Sequence, residues 1–413
     1  MKFLIFEIIK HNLKLLTFFK EKEVRKLPFR VLWQSFRLMQ NEKITKIDGK
    51  IFINNYIPPF PSRAIGAHFR GYREMSEGKF SSQTAIISLT NKCCCNCKIC
   101  YNRNYAGEEM SLVQIKKIIQ EVQELGFFRI ALSGGEPTLR KDLEEIINSI
   151  DDRSFPVLLT NGIGLTIKRA KAFKKAGLRV IKISLDHYEK NKVDEKRGFA
   201  GAFDGAISAI NISKKIGLYV VVTIVITKDI LNSEEIYKYI DFVEKIGGDE
   251  VFIMEPKPYF ILEEKYLLNN KDKDKLYKLQ LEINRNKKRK ITVSVYNYHT
   301  HSFKFGCNAG SRYLYINAMG GVSPCPSVGL SFGNIKNESI TDIYKKIKNL
   351  LPYPRKHCLF VSTKREVENN FKGKFPLGGE ISRNIFKKMK LGDLPKENKR
   401  ILRSKVLEKI MKV

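Results

Sequence analysis

The sequence has no apolar stretch that approaches the roughly 18 to 20 residues of a membrane-spanning helix. No secretory leader is predicted either, because Glu7 and Lys10 interrupt the apolar N-terminal segment and no small-residue cleavage site follows. Clustered cysteines suited to iron belong in a reducing interior. The expected location is the cytoplasm, and peripheral contact with the inner membrane face stays open as an alternative.

Acidic residues are scarce, with 43 Asp and Glu against 75 Lys and Arg and a formal net charge of +32. Such an excess indicates an anionic partner or basic side chains dispersed over solvated surfaces. The lysines are spread along the chain, without the interleaved aromatic and basic run that binds single-stranded nucleic acid. Dispersed charge is therefore favoured first, an anionic membrane surface second, and nucleic acid last.

Cysteines are few, but five of the eight lie between residues 93 and 100. Cys93, Cys97 and Cys100 have the spacing C-x3-C-x2-C. Clusters with four irons are usually held by four thiolates, so three would leave one iron open to a small molecule. Structural zinc prefers paired C-x2-C knuckles or four Cys and His ligands, and disulfide frameworks belong to small secreted domains. The spacing favours an iron-sulfur site over both alternatives.

The first sixty residues indicate small elements. Residues 1–21 and 29–39 have the spacing of amphipathic helices, which either dock on the rest of the chain or lie on acidic lipid. Residues 44–56 alternate around Asp48-Gly49, a β-hairpin signal. The proline-rich run 57–61 predicts an extended linker over the surface.

From residue 84 onward, short β-branched runs alternate with helical patterns, which predicts a parallel sheet with helices outside. Six such units are too few to close an eight-stranded barrel, so an open, partial (β/α)6 TIM-like barrel of the α/β class is expected. The predicted strands are 84–90, 129–133, 157–160, 180–184, 220–227 and 250–254, and the predicted helices are 111–125, 139–150, 167–175, 202–215, 233–246 and 274–284.

Chemically distinctive residues follow the first four of these strands. The cysteine loop follows the first, Gly134-Gly135-Glu136-Pro137 the second, Thr160-Asn161-Gly162 the third, and Ser184-Leu185-Asp186 the fourth. Parallel α/β architectures place their active sites at the carboxyl ends of the strands. These motifs are therefore expected to converge on one mouth.

With Tyr101 after the third cysteine and Arg197-Gly198 downstream, this order of motifs resembles the radical S-adenosylmethionine (radical SAM) superfamily over about residues 84–360. The resemblance implies that Cys93, Cys97 and Cys100 hold a 4Fe-4S cluster whose open iron binds S-adenosylmethionine. Its reductive cleavage would give a 5′-deoxyadenosyl radical that abstracts hydrogen from substrate, with an electron donor such as ferredoxin or flavodoxin. Cys94 and Cys95 are predicted not to be ligands.

The resemblance also assigns cofactor contacts. Glycines let the backbone approach a ligand closely, and Arg suits a carboxylate through its planar fork, although a solvated Arg197 remains an alternative. Many relatives have glycine where this chain has His187, which leaves the loop near the adenosyl group open. The predicted cofactor-binding residues are Gly134, Gly135, Glu136, Asn161, Ser184, Asp186 and Arg197.

A second cysteine group, Cys307, Cys325 and Cys358, resembles a shortened SPASM or Twitch auxiliary-cluster extension, with a hairpin predicted around 319–321. Three thiolates support one further iron-sulfur cluster, whose fourth ligand is His357, a substrate atom or nothing. Zinc bound by three Cys and His357 is the alternative, as are buried cysteines or a degenerate domain that has lost its metal.

These patterns divide the chain into an N-terminal extension (1–82), a radical SAM partial barrel (83–290), an auxiliary-cluster domain (291–362) and a basic tail (363–413) with amphipathic segments 381–389 and 400–413. The predicted function is hydrogen abstraction from a small-molecule, lipid or peptide substrate. A hydrophobic or membrane-proximal substrate is preferred, because the chain has N-terminal amphipathic helices and a positive net charge. Peptide or protein maturation, cofactor biosynthesis and a non-catalytic metal-binding regulator are the alternatives.

Overall fold

The structure is a computed structural model that describes residues 13–39, 42–102, 105–256, 267–296, 305–373, 375–389, 392–402 and 404. Of the helix predicted over 1–21, residues 1–12 lie outside this range, and Leu13–Lys20 form a 3₁₀ helix followed by the short α1 (Lys22–Arg25). Most of the predicted segment 400–413 also lies outside. The helix predicted over 29–39 is confirmed as α2 (Phe29–Met39).

The core is one ten-stranded sheet with the order β12-β11-β10-β3-β4-β5-β6-β7-β8-β9. All six predicted barrel strands are present within one or two residues. The strands are β3 (Thr84–Ser88), β4 (Arg129–Ser133), β5 (Phe155–Thr160), β6 (Val180–Ser184), β7 (Tyr219–Val225), β8 (Glu250–Met254), β9 (Thr292–Val295), β10 (Tyr313–Ile316), β11 (Gly321–Ser323) and β12 (Gly333–Asn334).

Two strands beyond the six predicted ones extend the parallel sheet. β9 pairs parallel to β8, and β10 pairs parallel to β3. In the described part of the chain β9 is not paired with β10 or with the strands beyond it, so the barrel is open, as expected. The predicted hairpin is confirmed as antiparallel β10 and β11. The sheet runs across residue 290, and the domain boundaries stay predictions.

Helices cover the outer face of the sheet, because alternate strand residues point outward and pack against them. Ile130, Ile181 and Val220 pack in the helix-facing core, whereas Val157 and Val221 face the barrel interior. The helices are α3 (Arg63–Ser76), α4 (Leu112–Glu124), α5 (Leu143–Asn148), α6 (Ile167–Lys175), α7 (Lys190–Arg197), α8 (Ala202–Lys215), α9 (Lys228–Leu231), α10 (Glu235–Lys245), α11 (Asn270–Arg285), α12 (Ile340–Leu350), α13 (Leu359–Asn370), α14 (Gly379–Lys388) and α15 (Lys396–Ile401).

The N-terminal extension begins with the predicted hairpin, β1 (Thr45–Ile47) and β2 (Lys50–Phe52), joined by Asp48 and Gly49 at positive φ. The surface linker predicted over 57–61 is wrong. Residues 57–60 are buried, and Phe60 pairs with Ile51 in the apolar cluster of the extension. Helix α3, which the sequence analysis did not predict, follows and is also largely buried.

Asn55 joins this extension to the base of the barrel. Its backbone N–H donates to Glu250 Oε2 (2.8 Å) and its side-chain amide to Glu250 Oε1. Its backbone carbonyl accepts from Arg129 Nε (2.9 Å), and its Oδ1 accepts from Arg129 Nη2 (3.2 Å) and Lys182 Nζ (3.4 Å). All four residues are buried. The backbone and side chain of one residue thus contact three charged groups that would be costly to leave alone.

The remaining N-terminal helices pack against protein where the structure describes them. Val31 and Phe36 of α2 are buried in a cluster with Phe18, Phe69 of α3 and Ile401 of α15. This favours docking over lipid contact for residues 13–39. Among the described residues, no helix is long and apolar enough to cross a membrane.

Candidate iron-sulfur sites

The cysteine loop leaves β3 at the barrel mouth, where its first residues are anchored. The carboxylate of Glu109 accepts hydrogen bonds from Thr90 Oγ1 (3.0 and 2.9 Å) and from the Asn91 backbone (2.8 Å). The Gly135 and Glu136 N–H groups donate to Thr90 O (2.6 Å) and Lys92 O (2.8 Å). The residues that precede the cysteines are therefore held in a fixed position.

The two glycines allow this close backbone contact. Gly134 has φ +145°, and a Cβ there would collide with Thr90 O. A Cβ on Gly135 would collide with Lys92 O and lie 2.6 Å from Asn91 O. These contacts are closer than real Cβ atoms make, so the glycines are needed to seat the cysteine loop. Their predicted contact with a cofactor stays a prediction.

Glu136 connects the ends of two strands. Its Oε1 accepts from Thr138 N (3.0 Å) and Thr160 Oγ1 (2.7 Å), and its Oε2 accepts from Asn161 N (2.7 Å). Burial raises the pKa of this carboxyl, which the hydrogen bonds only partly oppose. The side chain is thus used to position Thr160 and Asn161. Its predicted cofactor contact is untested.

The amide of Asn161 faces three sulfurs. Its Nδ2 lies 3.8 Å from Cys93 Sγ, 3.4 Å from Cys94 Sγ and 3.6 Å from Cys95 Sγ. Its Oδ1 accepts from Ile163 N at 2.9 Å, which fixes which end of the amide points to the sulfurs. The three sulfurs lie within 4.8 Å of one another.

Cys95 divides the thiols into two kinds. Its hydrogen bonds to Cys93 and Cys97 lower the pKa of Cys93 to about 7 and that of Cys97 to about 6, with Arg197 assisting at Cys97. The pKa of Cys95 is raised by the same hydrogen bonds, and burial raises that of Cys94. The lowered pKa values of Cys93 and Cys97 favour their thiolate forms, which are the forms that bind iron, and the raised pKa values of Cys94 and Cys95 disfavour theirs.

Cys100 lies apart from the group of three sulfurs found among the described residues. Its backbone N–H donates to Cys97 O at 3.3 Å, which turns the chain into Tyr101. The hydroxyl of Tyr101 is 2.7 Å from Ser133 Oγ at the end of β4. The ligand set of Cys93, Cys97 and Cys100 remains a prediction that this donor chemistry fits.

Arg197 holds the far side of the loop. Its Nη2 lies 2.5 Å from Asp186 Oδ2, its Nη1 is 3.9 Å from Cys97 Sγ, and its carbonyl accepts from Asn96 N (3.0 Å). The side chain is only 15% exposed, so the solvated alternative is wrong. The adjacent Gly198 has φ +58°, and a Cβ there would lie 2.8 Å from Asn96 O.

Ser184 and His187 lie nearby at the mouth. Ser184, at the carboxyl end of β6, is partly exposed and in register with Thr223. His187 is buried, and its Nδ1 accepts from Glu189 N at 2.9 Å. Burial, with Lys192 nearby, lowers the pKa of His187. The His187 side chain therefore stabilises the turn at this position, where many relatives have glycine.

The second cysteine group comes together at the open edge of the barrel. Cys307, Cys325 and Cys358 line one cavity, and Cys307 exchanges backbone hydrogen bonds with Arg355. A hydrogen bond with Cys358 lowers the pKa of Cys307 to about 6, and the Arg355 guanidinium contributes. His357 also lines this cavity. Three thiolates with one activated member fit a cluster, although zinc would use the same donors.

Sequence reasoning missed the residues between and around these two sites. Tyr101 and Tyr313, both partly buried, pack against the same interior cluster, and burial raises the pKa of both phenols, with Cys325 adding to the shift. Arg355 and Glu109 also went unnoticed. Nothing in the local sequence marks them, except that Arg355 is three residues before a cysteine.

Comparison with known proteins agrees with this geometry. The family model of the radical SAM superfamily matches residues 87–243, and that of the iron-sulfur cluster-binding SPASM domain matches residues 307–359. The chain contains a radical SAM superfamily domain and, C-terminal to it, a SPASM domain. The radical SAM match contains every predicted ligand and cofactor residue of the first site. The SPASM match contains all three cysteines of the second.

Two curated relatives differ in their named activities. A probable GTP 3′,8-cyclase of Methanosarcina mazei is 32% identical over 201 residues, 46% of this chain and 59% of the relative. An AdoMet-dependent heme synthase of Methanosarcina barkeri is 26% identical over 283 residues, 62% of this chain and 80% of the relative. The chain thus spans little more than half the length of the first.

Solved structures share the fold at low sequence identity. SuiB of Streptococcus suis, bound to its precursor peptide SuiA, aligns with TM-score 0.55 and 16% identity over 68% of this chain and 69% of its own. The AdoMet-bound anSMEcpe aligns with TM-score 0.52 and 18% identity over 64% and 81%. They confirm an α/β radical SAM fold with a mostly parallel sheet.

Proposed function

We propose that this radical SAM protein abstracts hydrogen from a small, largely apolar substrate held between the barrel mouth and the auxiliary cysteines. The observation that carries the proposal is the seating of the cysteine loop. Backbone from Gly135 and Glu136 and both side chain and carbonyl of Arg197 hold it at the strand ends. When bound there, a 4Fe-4S cluster and S-adenosylmethionine supply the radical that removes hydrogen.

The chain's own residues position these groups. Cys93, Cys97 and Cys100 are the proposed iron ligands, with Cys94 and Cys95 outside the set. Asn161 would donate to ligand sulfur, and Arg197, oriented by Asp186, would place a positive charge beside Cys97. Gly134 and Ser184 are proposed to contact S-adenosylmethionine from neighbouring strand ends.

The SPASM domain is proposed to hold one auxiliary iron-sulfur cluster on Cys307, Cys325 and Cys358. This cluster would accept an electron from the substrate radical or anchor the substrate. Tyr101 follows the cysteine loop, Tyr313 lines the cavity of the auxiliary cysteines, and both pack against one interior cluster, which supports exchange between the two sites. Zinc with His357 as fourth ligand is the competing occupant.

The substrate and the partners are proposed by chemical class. The choice lies between a hydrophobic small molecule, a membrane-proximal lipid and a peptide, and the apolar walls near Cys325 support the first. Peptide maturation and cofactor biosynthesis remain the alternatives, since relatives and structural neighbours have names of both kinds. A ferredoxin or flavodoxin would donate the electron. Peripheral membrane contact stays a prediction.

Anaerobic reconstitution tests the proposal. We expect the reconstituted chain to release 5′-deoxyadenosine from S-adenosylmethionine under reduction, and Cys97→Ala to abolish that release. Cys94→Ala is the matched control, because its thiol is not a proposed ligand, and should retain cleavage. Iron binding without cleavage under any reductant would instead support a regulatory metal-binding protein.

A further inference from the structure

Arg355 places a buried guanidinium beside the auxiliary cysteines. Only 4% of the residue is exposed. Its backbone forms a two-way bridge with Cys307, in which the Cys307 N–H donates to Arg355 O (2.7 Å) and the Arg355 N–H donates to Cys307 O (3.1 Å). The arginine is therefore held in a fixed position relative to a proposed iron ligand.

The side chain of Arg355 faces sulfur atoms. Its Nη2 lies 3.8 Å from Cys307 Sγ, and its Nη1 lies 3.9 Å from Met389 Sδ. Its Nε is buried without a hydrogen-bond partner, and among the residues that the structure describes no carboxylate forms an ion pair with this guanidinium. A buried cation is costly unless an anion compensates it. The thiolate of Cys307 is within reach to carry that compensating charge.

The sulfur of Cys307 also accepts a second hydrogen bond. The N–H of Leu359 donates to it at 3.5 Å. Leu359 is the first residue of α13, and Cys358 is the residue that precedes this helix as its N-cap. The N-terminus of a helix carries a partial positive charge. One full and one partial positive charge therefore approach the same sulfur.

The first cysteine site contains a similar guanidinium with a different partner. Arg197 Nη1 lies 3.9 Å from Cys97 Sγ, a distance close to that between Arg355 and Cys307. Arg197 Nη2 also lies 2.5 Å from Asp186 Oδ2, so a carboxylate offsets its charge. The described part of the chain provides no such carboxylate for Arg355. The charge of Arg355 therefore acts on the auxiliary site without this compensation.

From this arrangement we infer that Arg355 is the counter-charge of the auxiliary cluster and raises its reduction potential. One-electron reduction adds one negative charge to a cluster, and a buried cation beside a ligand sulfur stabilises the reduced form more than the oxidised form. The inference deepens the proposed function, on which it rests for the presence of an iron-sulfur cluster on Cys307, Cys325 and Cys358.

The auxiliary cluster can be measured alone in the full chain with Cys93, Cys97 and Cys100 replaced by alanine, because these substitutions remove the proposed ligands of the first cluster. After anaerobic reconstitution, electron paramagnetic resonance follows its stepwise reduction by titanium(III) citrate. We expect Arg355→Gln to shift the one-electron equilibrium toward the oxidised form by about tenfold or more, equivalent to about 59 mV. Arg355→Lys retains the charge and should restore most of the wild-type potential.

A second pair of variants leaves Arg355 in place. Met389 is partly exposed and lies against Nη1, so Met389→Glu puts a carboxylate beside the guanidinium, as Asp186 lies beside Arg197. We expect Met389→Glu to lower the midpoint potential and the uncharged Met389→Gln to leave it unchanged. Arg365→Gln, at an exposed arginine of α13, removes one surface charge and should also leave it unchanged.

The outcomes separate this inference from the proposed function. Wild-type potentials in Met389→Glu and in iron-loaded Arg355→Gln would overturn it. If Arg355→Gln retains no iron, Met389→Glu decides alone, since a lowered potential supports the inference and an unchanged one rejects it. Zinc in place of an auxiliary iron-sulfur cluster rejects it as well. Release of 5′-deoxyadenosine by the chain with all its cysteines is measured in parallel, so release with unchanged potentials rejects the counter-charge alone.

Discussion

At the scale of single residues, Asn161 shows how one oriented amide can act on a metal site. Its Oδ1 is held by Ile163 N, which leaves Nδ2 to face the sulfurs of Cys93, Cys94 and Cys95. Hydrogen bonds to ligand sulfur stabilise the more negative, reduced form of a cluster and so raise its reduction potential. The amide is thus placed to tune electron entry.

Replacement of this amide should therefore shift the potential. We expect Asn161→Ala to make the midpoint potential of the first cluster more negative, measured by redox titration with electron paramagnetic resonance, at unchanged iron content. Asn148→Ala, at an exposed asparagine on α5, is the control. An unchanged potential would show that the amide does not reach a ligand sulfur in the loaded protein.

His68 leads to a prediction about pH. Burial, assisted by Arg312, lowers its pKa to about 3 from an ordinary value near 6.5. Because the unfolded chain takes up the proton first, stability is lost as pH falls below about 6.5, by up to about 1.4 kcal/mol per unit.

His68→Phe should remove this loss, since the ring already packs against Phe69, Tyr72 and Phe128. We expect the variant to lose less thermal stability than the wild type between pH 7 and pH 5.5, as followed by circular dichroism. Equal losses in both proteins would mean that the imidazole is protonated, or solvated, in the fold.

The residues of the first site could be predicted from the sequence, because the cysteine spacing and the Gly-Gly-Glu motif are local patterns. The hydrogen-bond partners of Glu136 and Arg197 could not be predicted in this way. Glu136 bonds to residues on the next strand, and Arg197 contacts Cys97, a hundred positions earlier. Only the tertiary register of the strands brings such groups together, so their positioning roles were missed.

At the scale of elements, the turn after β4 and the cysteine loop form one unit. A Cβ on Gly135 would collide with Lys92 O. We expect Gly135→Ala to displace the loop, to reduce iron retained after reconstitution, and to cost about 2 kcal/mol or more of unfolding free energy.

Gly378→Ala is the matched control for that change. Gly378 has φ −58°, and a Cβ there would have no atom within 4 Å. Its iron content and denaturation midpoint should equal those of the wild type within error. Full iron content in Gly135→Ala would show that the loop can move aside without loss of the site.

Elements with strong local periodicity were predicted well, and elements defined by pairing were not. The β-branched runs of β4, β6 and β8 were predicted with their observed bounds. The place of β10 was missed because it pairs with β3, which lies far back in the sequence, and β9 was missed because its four residues form too short a run to mark a strand. The proline-rich run 57–61 was predicted to be exposed, because a short buried segment leaves no periodic pattern of apolar residues in the sequence.

For the whole molecule, the two cysteine groups should load independently, since they lie on different segments. If both hold four-iron clusters, the Cys307→Ala/Cys325→Ala double variant should retain about half the iron of the wild type. Iron and acid-labile sulfide analysis, with zinc measured alongside, checks this. Equal iron in both proteins, or stoichiometric zinc in the wild type, would refute the auxiliary cluster.

The pairing of Asn55 with the barrel base also bears on modularity. The superfamily match starts at residue 87, yet the acceptor groups for Arg129 and Lys182 come from residue 55. A fragment trimmed to the matched domain would contain Arg129 and Lys182 but neither Asn55 nor Glu250, and would leave both cations without these partners in a dry interior. The barrel of this chain is therefore not an autonomous module, and a chimera that transplants it must carry Asn55 as well.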